Sequence, residues 1–207
     1  QKLDDEGGSK TVAKLKDRFP PRLRAHLAPT NIRDVVHRRL LRKKPEVEAE
    51  LKDLFQRHRP ELKTCAYGCE SVTAEDFVEV YPLLPGHVDL LLQITSNLRS
   101  RSTRIQGDDQ AIRGLLQLLG EIFRARGLAD RDVGEVVNLE DVYEVMQSAL
   151  DADTQATLGR IASWVASTDD ELAARCAKAV ALLELIQEQT ATTATLVAQS
   201  LYRRLGD

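Results

Sequence analysis

Between residues 112 and 123 the apolar side chains Ile112, Leu115, Leu116, Leu119, Ile122 and Phe123 recur at intervals of three and four. Such intervals follow the turn of an α-helix and put all six on one face, so the stretch must lie against a core as a helix. Related spacings return elsewhere. Val47, Leu51, Leu54, Phe55 and His58 form one stripe, Val88, Leu91, Leu92, Thr95 and Leu98 another, and Val142, Val145, Met146 and Leu150 a third. Signals for helix ends sit where these stripes start and stop. Thr30 or Asn31, Thr73 with Asp76, Asp108 or Asp109, and Asn138 with Asp141 supply side chains able to cap a first turn, while Gly127 suits a helix stop. Pro45 ends one helix and opens the next, where a missing N–H is tolerated.

The pattern predicts helices over 46–59, from Thr73 through Val80, from His87 to Arg101, and around 112–123 and 138–150. Three more are expected near 154–167, 169–189 and 192–205. Residues 60–72 read as a loop punctuated by Pro60, Tyr67 and Gly68, and Tyr81-Pro82 and Pro85-Gly86 as two breaks. Ahead of these, residues 1–16 suggest frayed helical turns around a Gly7-Gly8-Ser9 break. Residues 18–29 alone read as a short strand, because Pro20, Pro21 and Pro29 exclude a continuous helix. The expected fold is all-α, a multi-helix bundle of eight to nine helices with at most one short strand near the N-terminus. Aromatic residues make up only 4% of the chain, which favours aliphatic helix packing over a β-sandwich.

The net charge of −3 hides an asymmetry. Residues 1–63 carry 17 Lys and Arg against 10 Asp and Glu, whereas residues 64–207 carry 12 against 22. A basic head suggests an anionic partner, the acidic half of a neighbouring copy, or simply the other half of the same molecule. No apolar run approaches the ~20 residues that span a bilayer. Three cysteines, Cys65, Cys69 and Cys176, are most simply reduced thiols of a cytoplasmic protein.

Arg18-Phe19-Pro20, the alternation Leu23, Ala25, Leu27, then Ala28-Pro29 and a helix from Asn31 to Leu41 together resemble the last strand and lid entry of AAA-type ATPases. More specifically, the run DRFPPRLRAHLAPTNIRDVVHRRLL, with FVEVYPLLPGHVDLLLQI beyond it, is similar to the large P-loop proteins of bacterial phage exclusion. These are the BrxC proteins of BREX systems and the PglY proteins of phage growth limitation. The resemblance covers residues 10–150 and fades after them. It implies a parent ATPase that binds ATP and magnesium and works with other defence-system proteins, with DNA, or as a homo-oligomer.

The chain opens on Gln1 and contains no G-x-x-x-x-G-K-[ST] phosphate loop. The expectation is therefore a piece of such an ATPase: residues 1–29 a remnant of its core, 30–105 a helical lid, 106–207 a helical extension. Gly7-Gly8-Ser9-Lys10-Thr11 imitates a phosphate loop but lacks its first glycine at the right distance and a preceding strand. No catalysis and no cofactor are expected of this piece itself.

By the same resemblance, Arg18, with Arg22 and Arg24 beside it, stands where such modules place an arginine that reaches a neighbouring subunit's nucleotide. The guanidinium suits that task because it is always charged and presents a fixed fork of donors. The alternative for Arg18 is a surface ion pair with Asp17 or Asp34.

A second group, Arg38, Arg39, Arg42, Lys43 and Lys44, occupies the end of a helix, where cations complement the dipole. These five, with Arg99, Arg101 and Arg104 in a Ser/Thr-rich loop, are candidate contacts for nucleic-acid phosphates in a helical DNA-binding module. A solvated face is the simpler account, since no aromatic residue is interleaved to stack on bases. Cys65 and Cys69, near His58 and His87, supply too few ligands for a closed zinc site, so no metal is expected. Residues 192–202 resemble either the opening helix of a winged-helix unit or the last helix of the bundle. A plain protein–protein scaffold remains the third functional reading.

Overall fold

The structure, a computed structural model, describes residues 32–102, 108–168 and 170–206, with the side chains of 32, 33, 99–102 and 108–113 left aside. Among these residues the fold is an all-α bundle with no strand, only an isolated antiparallel bridge between Glu135 and Arg204. The expected strand at 18–29 lies outside the described residues.

Helix α1, Ile32–Val36, runs on as a π-helical turn, His37–Leu41. Then come α2 (Pro45–Cys65), α3 (Ala74–Val80), α4 (Pro85–Ser102), α5 (Asp108–Ala125) and α6 (Leu139–Met146). The last three are α7 (Ala152–Thr168), α8 (Glu171–Leu183) and α9 (Ala194–Ser200). Two capping boxes hold where the sequence placed them. The Thr73 hydroxyl accepts from the Asp76 amide at 3.1 Å, and Asn138 Oδ1 accepts from the Glu140 and Asp141 amides. Gly127 adopts the left-handed conformation (φ 58°) just after α5.

Helix α2 corrects the expectation most. It does not stop at residue 59 but carries Pro60 in its interior and ends at Cys65. Proline normally breaks a helix because it removes one bond and crowds the preceding turn. Here Pro60 is exposed, while Leu62 within the helix and Ala66 just past it are buried beside Leu51 and Phe55, so core packing carries the helix past the defect. Pro85 and Gly86 likewise open α4 rather than interrupt the chain. Gly86 is needed there because the backbones cross: a Cβ on it would stand 2.7 Å from the Gly68 Cα. The helix expected over 192–205 ends at Ser200, and the chain runs on without helix through 202–204 into a turn at 205–206.

Residues on both sides of position 105 share one core. Val36, Leu41, Leu83, Leu91 and Ile94 pack with Leu115, Leu119, Ile122, Val142, Leu182 and Leu201. In α5 the buried set is Leu115, Leu118, Leu119 and Ile122, whereas Leu116 and Phe123 are half-buried. A second, smaller core joins α2 and α3, with Phe77 5.4 Å from both the Phe55 and Tyr81 rings. Val136 and Leu205 complete that layer from distant parts of the chain. The extended stretch 134–137 stitches the two cores together. Its Val137 amide donates to Pro82 O, its Val136 amide to Arg203 O, and Gly134 O accepts from the Leu205 amide.

Candidate functional site

The basic turn that ends α1 projects four exposed side chains, Arg38, Arg39, Arg42 and Lys44. Arg38 Nε donates to Asp34 Oδ1 at 2.7 Å, one helical turn back. Lys43 points the other way. Half-buried, its ammonium donates to the Glu79 carbonyl at 3.0 Å, and His37 Nδ1 donates to the same oxygen at 2.8 Å. That carbonyl belongs to the last turn of α3, where helix carbonyls lack intrahelical partners and attract positive charge. Burial pushes the Lys43 amine down to about 8, against the pull of Glu79 and Glu48. Lys43 therefore faces the protein rather than solvent.

Of the other expected basic contacts, Arg99 and Arg101 fall within helix α4 and not in a loop, because the helix continues to Ser102. Arg18, Arg22, Arg24 and Arg104 lie outside the described residues.

A separate cleft of about 450 Å³ opens where the end of α5, the start of α6 and residues 203–204 meet. Its floor is Asp141, whose side chain is 4% exposed. Arg131 grips this carboxylate with both terminal nitrogens, at 2.9 and 2.5 Å, and Arg126 Nε adds a contact at 3.1 Å. Burial alone would push the Asp141 carboxyl up. Arg131, Arg126 and the Asn138 amide outweigh it and hold the group below its ordinary value. One side chain thus caps α6 and anchors the 126–131 loop.

Next to it Glu140 receives Arg175 Nε at 3.0 Å and Lys178 Nζ at 3.1 Å, and Lys178 also meets Glu144 at 2.6 Å. On the far rim Arg204 pairs with Glu135 and Asp132. These acids and bases neutralise one another, which suits a cleft that fastens loops better than one that moves protons.

Two further polar nodes escaped the sequence reading. Glu61 on α2 accepts from the Tyr202 hydroxyl at 2.5 Å, from the Gly206 amide at 3.0 Å and from His58 Nδ1 at 3.1 Å. Burial raises its carboxyl, but these donors together bring it below the ordinary value. His87 is fully enclosed, with Nδ1 3.0 Å from Val137 O and Nε2 3.2 Å from Gln199 O. Neither node has a local sequence signal, since each partner lies at least 50 residues away except His58.

Cys65 is exposed, Cys69 buried and Cys176 half-buried. Burial pushes the Cys69 thiol up to about 11, so it is protonated at neutral pH. Among the described residues no group of three or more His, Cys, Asp or Glu side chains is placed to hold a metal ion, and no helix is long and apolar enough to cross a membrane. No protein-family model matches this chain, and no solved structure matches it.

Proposed function

We propose that this chain is a non-catalytic helical relay of a BREX-like, phage-defence P-loop ATPase: the lid and extension that pass nucleotide state to partner proteins or DNA in the cytoplasm. The observation that supports this reading is the attachment of α1. Val36 and Leu41 enter the main core, and His37 and Lys43 together hold the Glu79 carbonyl. A displacement entering through the segment ahead of α1 therefore reaches α3 and the shared core as one body. In this reading ATP and magnesium belong to the parent's phosphate loop, and Arg18, Arg22 and Arg24 supply charge at an inter-subunit nucleotide. The test joins the chain to its P-loop core. Arg18→Ala should lower ATP hydrolysis by roughly 10³-fold or more with far-UV circular dichroism unchanged. Undiminished hydrolysis would remove Arg18 from the nucleotide. ATP turnover by the 207-residue chain alone would end the relay reading.

A second reading, duplex DNA binding, draws on the exposure of Arg39, Arg42 and Lys44. Counterion release makes such binding strongly salt-dependent. A mobility-shift titration with no complex at about 50 mM salt would dismiss it.

A further inference from the structure

Helix α7 presents an outer face unlike that of any ordinary solvated helix. Across its 17 residues the only charged side chains are Asp153 and Arg160. Helix α2, 21 residues long, carries nine between Glu46 and Lys63. Leu158 is the one buried residue of α7, which packs against α8, so most of the helix faces outward. That outward side holds Trp164, 53% exposed, the sole tryptophan of the chain. A half-exposed indole on a charge-poor helix is the composition expected within a contact rather than in water.

The two charges say what covers it. Asp153 and Arg160 are seven residues apart, two helical turns, and so lie on one stripe about 10 Å from each other. Between them stand exposed Ala156 and Thr157, and Trp164 follows one turn beyond Arg160 on the same stripe. A two-fold axis passing near Ala156 and Thr157 would bring a second α7 antiparallel to the first. Asp153 of each copy then faces Arg160 of the other, and the small residues at the crossing allow close approach. Both ion pairs form at once because the pattern is its own complement. Among the described residues Arg160 otherwise makes only a hydrogen bond to Thr157 one turn away, at 3.1 Å.

We propose that the outer face of α7 is a homodimer interface: the occupant is a second copy of this chain, paired antiparallel through reciprocal Asp153–Arg160 contacts and flanked by the two Trp164 side chains. This interface is independent of the ATPase reading and involves neither the attachment of α1 nor the Asp141 cleft.

Sedimentation of the intact chain over a concentration series tests it, with tryptophan emission followed on the same samples. The mass should climb from 23.1 kDa toward twice that value, with a blue shift and reduced iodide quenching of Trp164. Asp153→Arg and Arg160→Asp should each raise the dissociation constant roughly tenfold, since each reverses two pairs at once. The double variant Asp153→Arg/Arg160→Asp should restore dimerisation. Trp164→Ser should abolish it, with circular dichroism confirming that every variant keeps its helices. A chain that stays monomeric at all concentrations overturns the proposal, as does a dimer indifferent to Trp164→Ser. A dimer that the single reversals weaken but the double variant fails to rescue overturns the antiparallel register.

Discussion

His87 is held between two acceptors. Both ring nitrogens lie against backbone carbonyls, those of Val137 and Gln199, yet a neutral imidazole has only one N–H to give. The charged ring would satisfy both, but complete burial opposes the charge more strongly and lowers its pKa from the ordinary 6.5. The sign follows from linkage. The unfolded chain takes up the proton first as pH falls through 6.5, so the folded state loses stability from there down to the lowered folded value. Urea denaturation of the wild type should therefore weaken between pH 7 and pH 5 more steeply than that of His87→Gln, which cannot titrate. Equal slopes would show that His87 does not set the acid response. Asp141 behaves oppositely, its contribution being present above the ordinary carboxylate value and lost only as pH falls through its lowered one. Asp141→Ala strands Arg131 in a partly enclosed site and should cost about 3 kcal/mol at neutral pH, measured by denaturant titration.

Within α5 the helical period was legible, but its exact phase against the core was not. Leu115, Leu119 and Ile122 are wholly buried, and Leu118 joins them in place of Leu116 and Phe123, which sit on the edge of the stripe. A helix face read from spacing is broad enough to admit a neighbouring position, and only the packing of α4 and α6 selects among them. Leu119→Ala should cost 2–5 kcal/mol in a denaturation experiment, roughly the range for a buried leucine, and Leu116→Ala about half as much. Helix α2 was misread for a different reason: the rule for proline is local, whereas Leu62 and Ala66 are held by contacts that no local rule contains. The same helix bears Glu61, which fastens residues 202–206. Glu61→Ala should leave α2 intact while speeding hydrogen exchange at the Val136 and Leu205 amides, which bind Arg203 O and Gly134 O and so tie 202–206 to the 134–137 stretch. Unchanged protection there would mean that the two backbone pairs suffice without the carboxylate.

Across the molecule, what could be read in advance was what neighbouring residues decide: the all-α class, both capping boxes, and the αL stop at Gly127. The site was legible only in fragments. Asn138 and Asp141 were recognisable as a cap, but the convergence of Arg126 and Arg131 on that carboxylate depends on how a loop folds back. Glu61, His87 and Tyr202 gave no advance sign, because their partners, His58 apart, lie at least 50 residues away in the chain. The pairing of 202–206 with α2 carries a consequence for the order of assembly. Gln199 reaches Thr64 across 135 positions, and Gly206 reaches Glu61 across 145. Closing loops of that length is entropically slow compared with forming local turns. On a ribosome, where chains emerge N-terminal end first, α2 and α3 would exist for many seconds with Leu51, Phe55 and Phe77 short of the Leu205 that finishes their layer. The smaller core thus closes late, although α2 and α3 are made well before residue 205, and a nascent chain halted before that residue would present the aromatic surface to whatever chaperone stands at the exit.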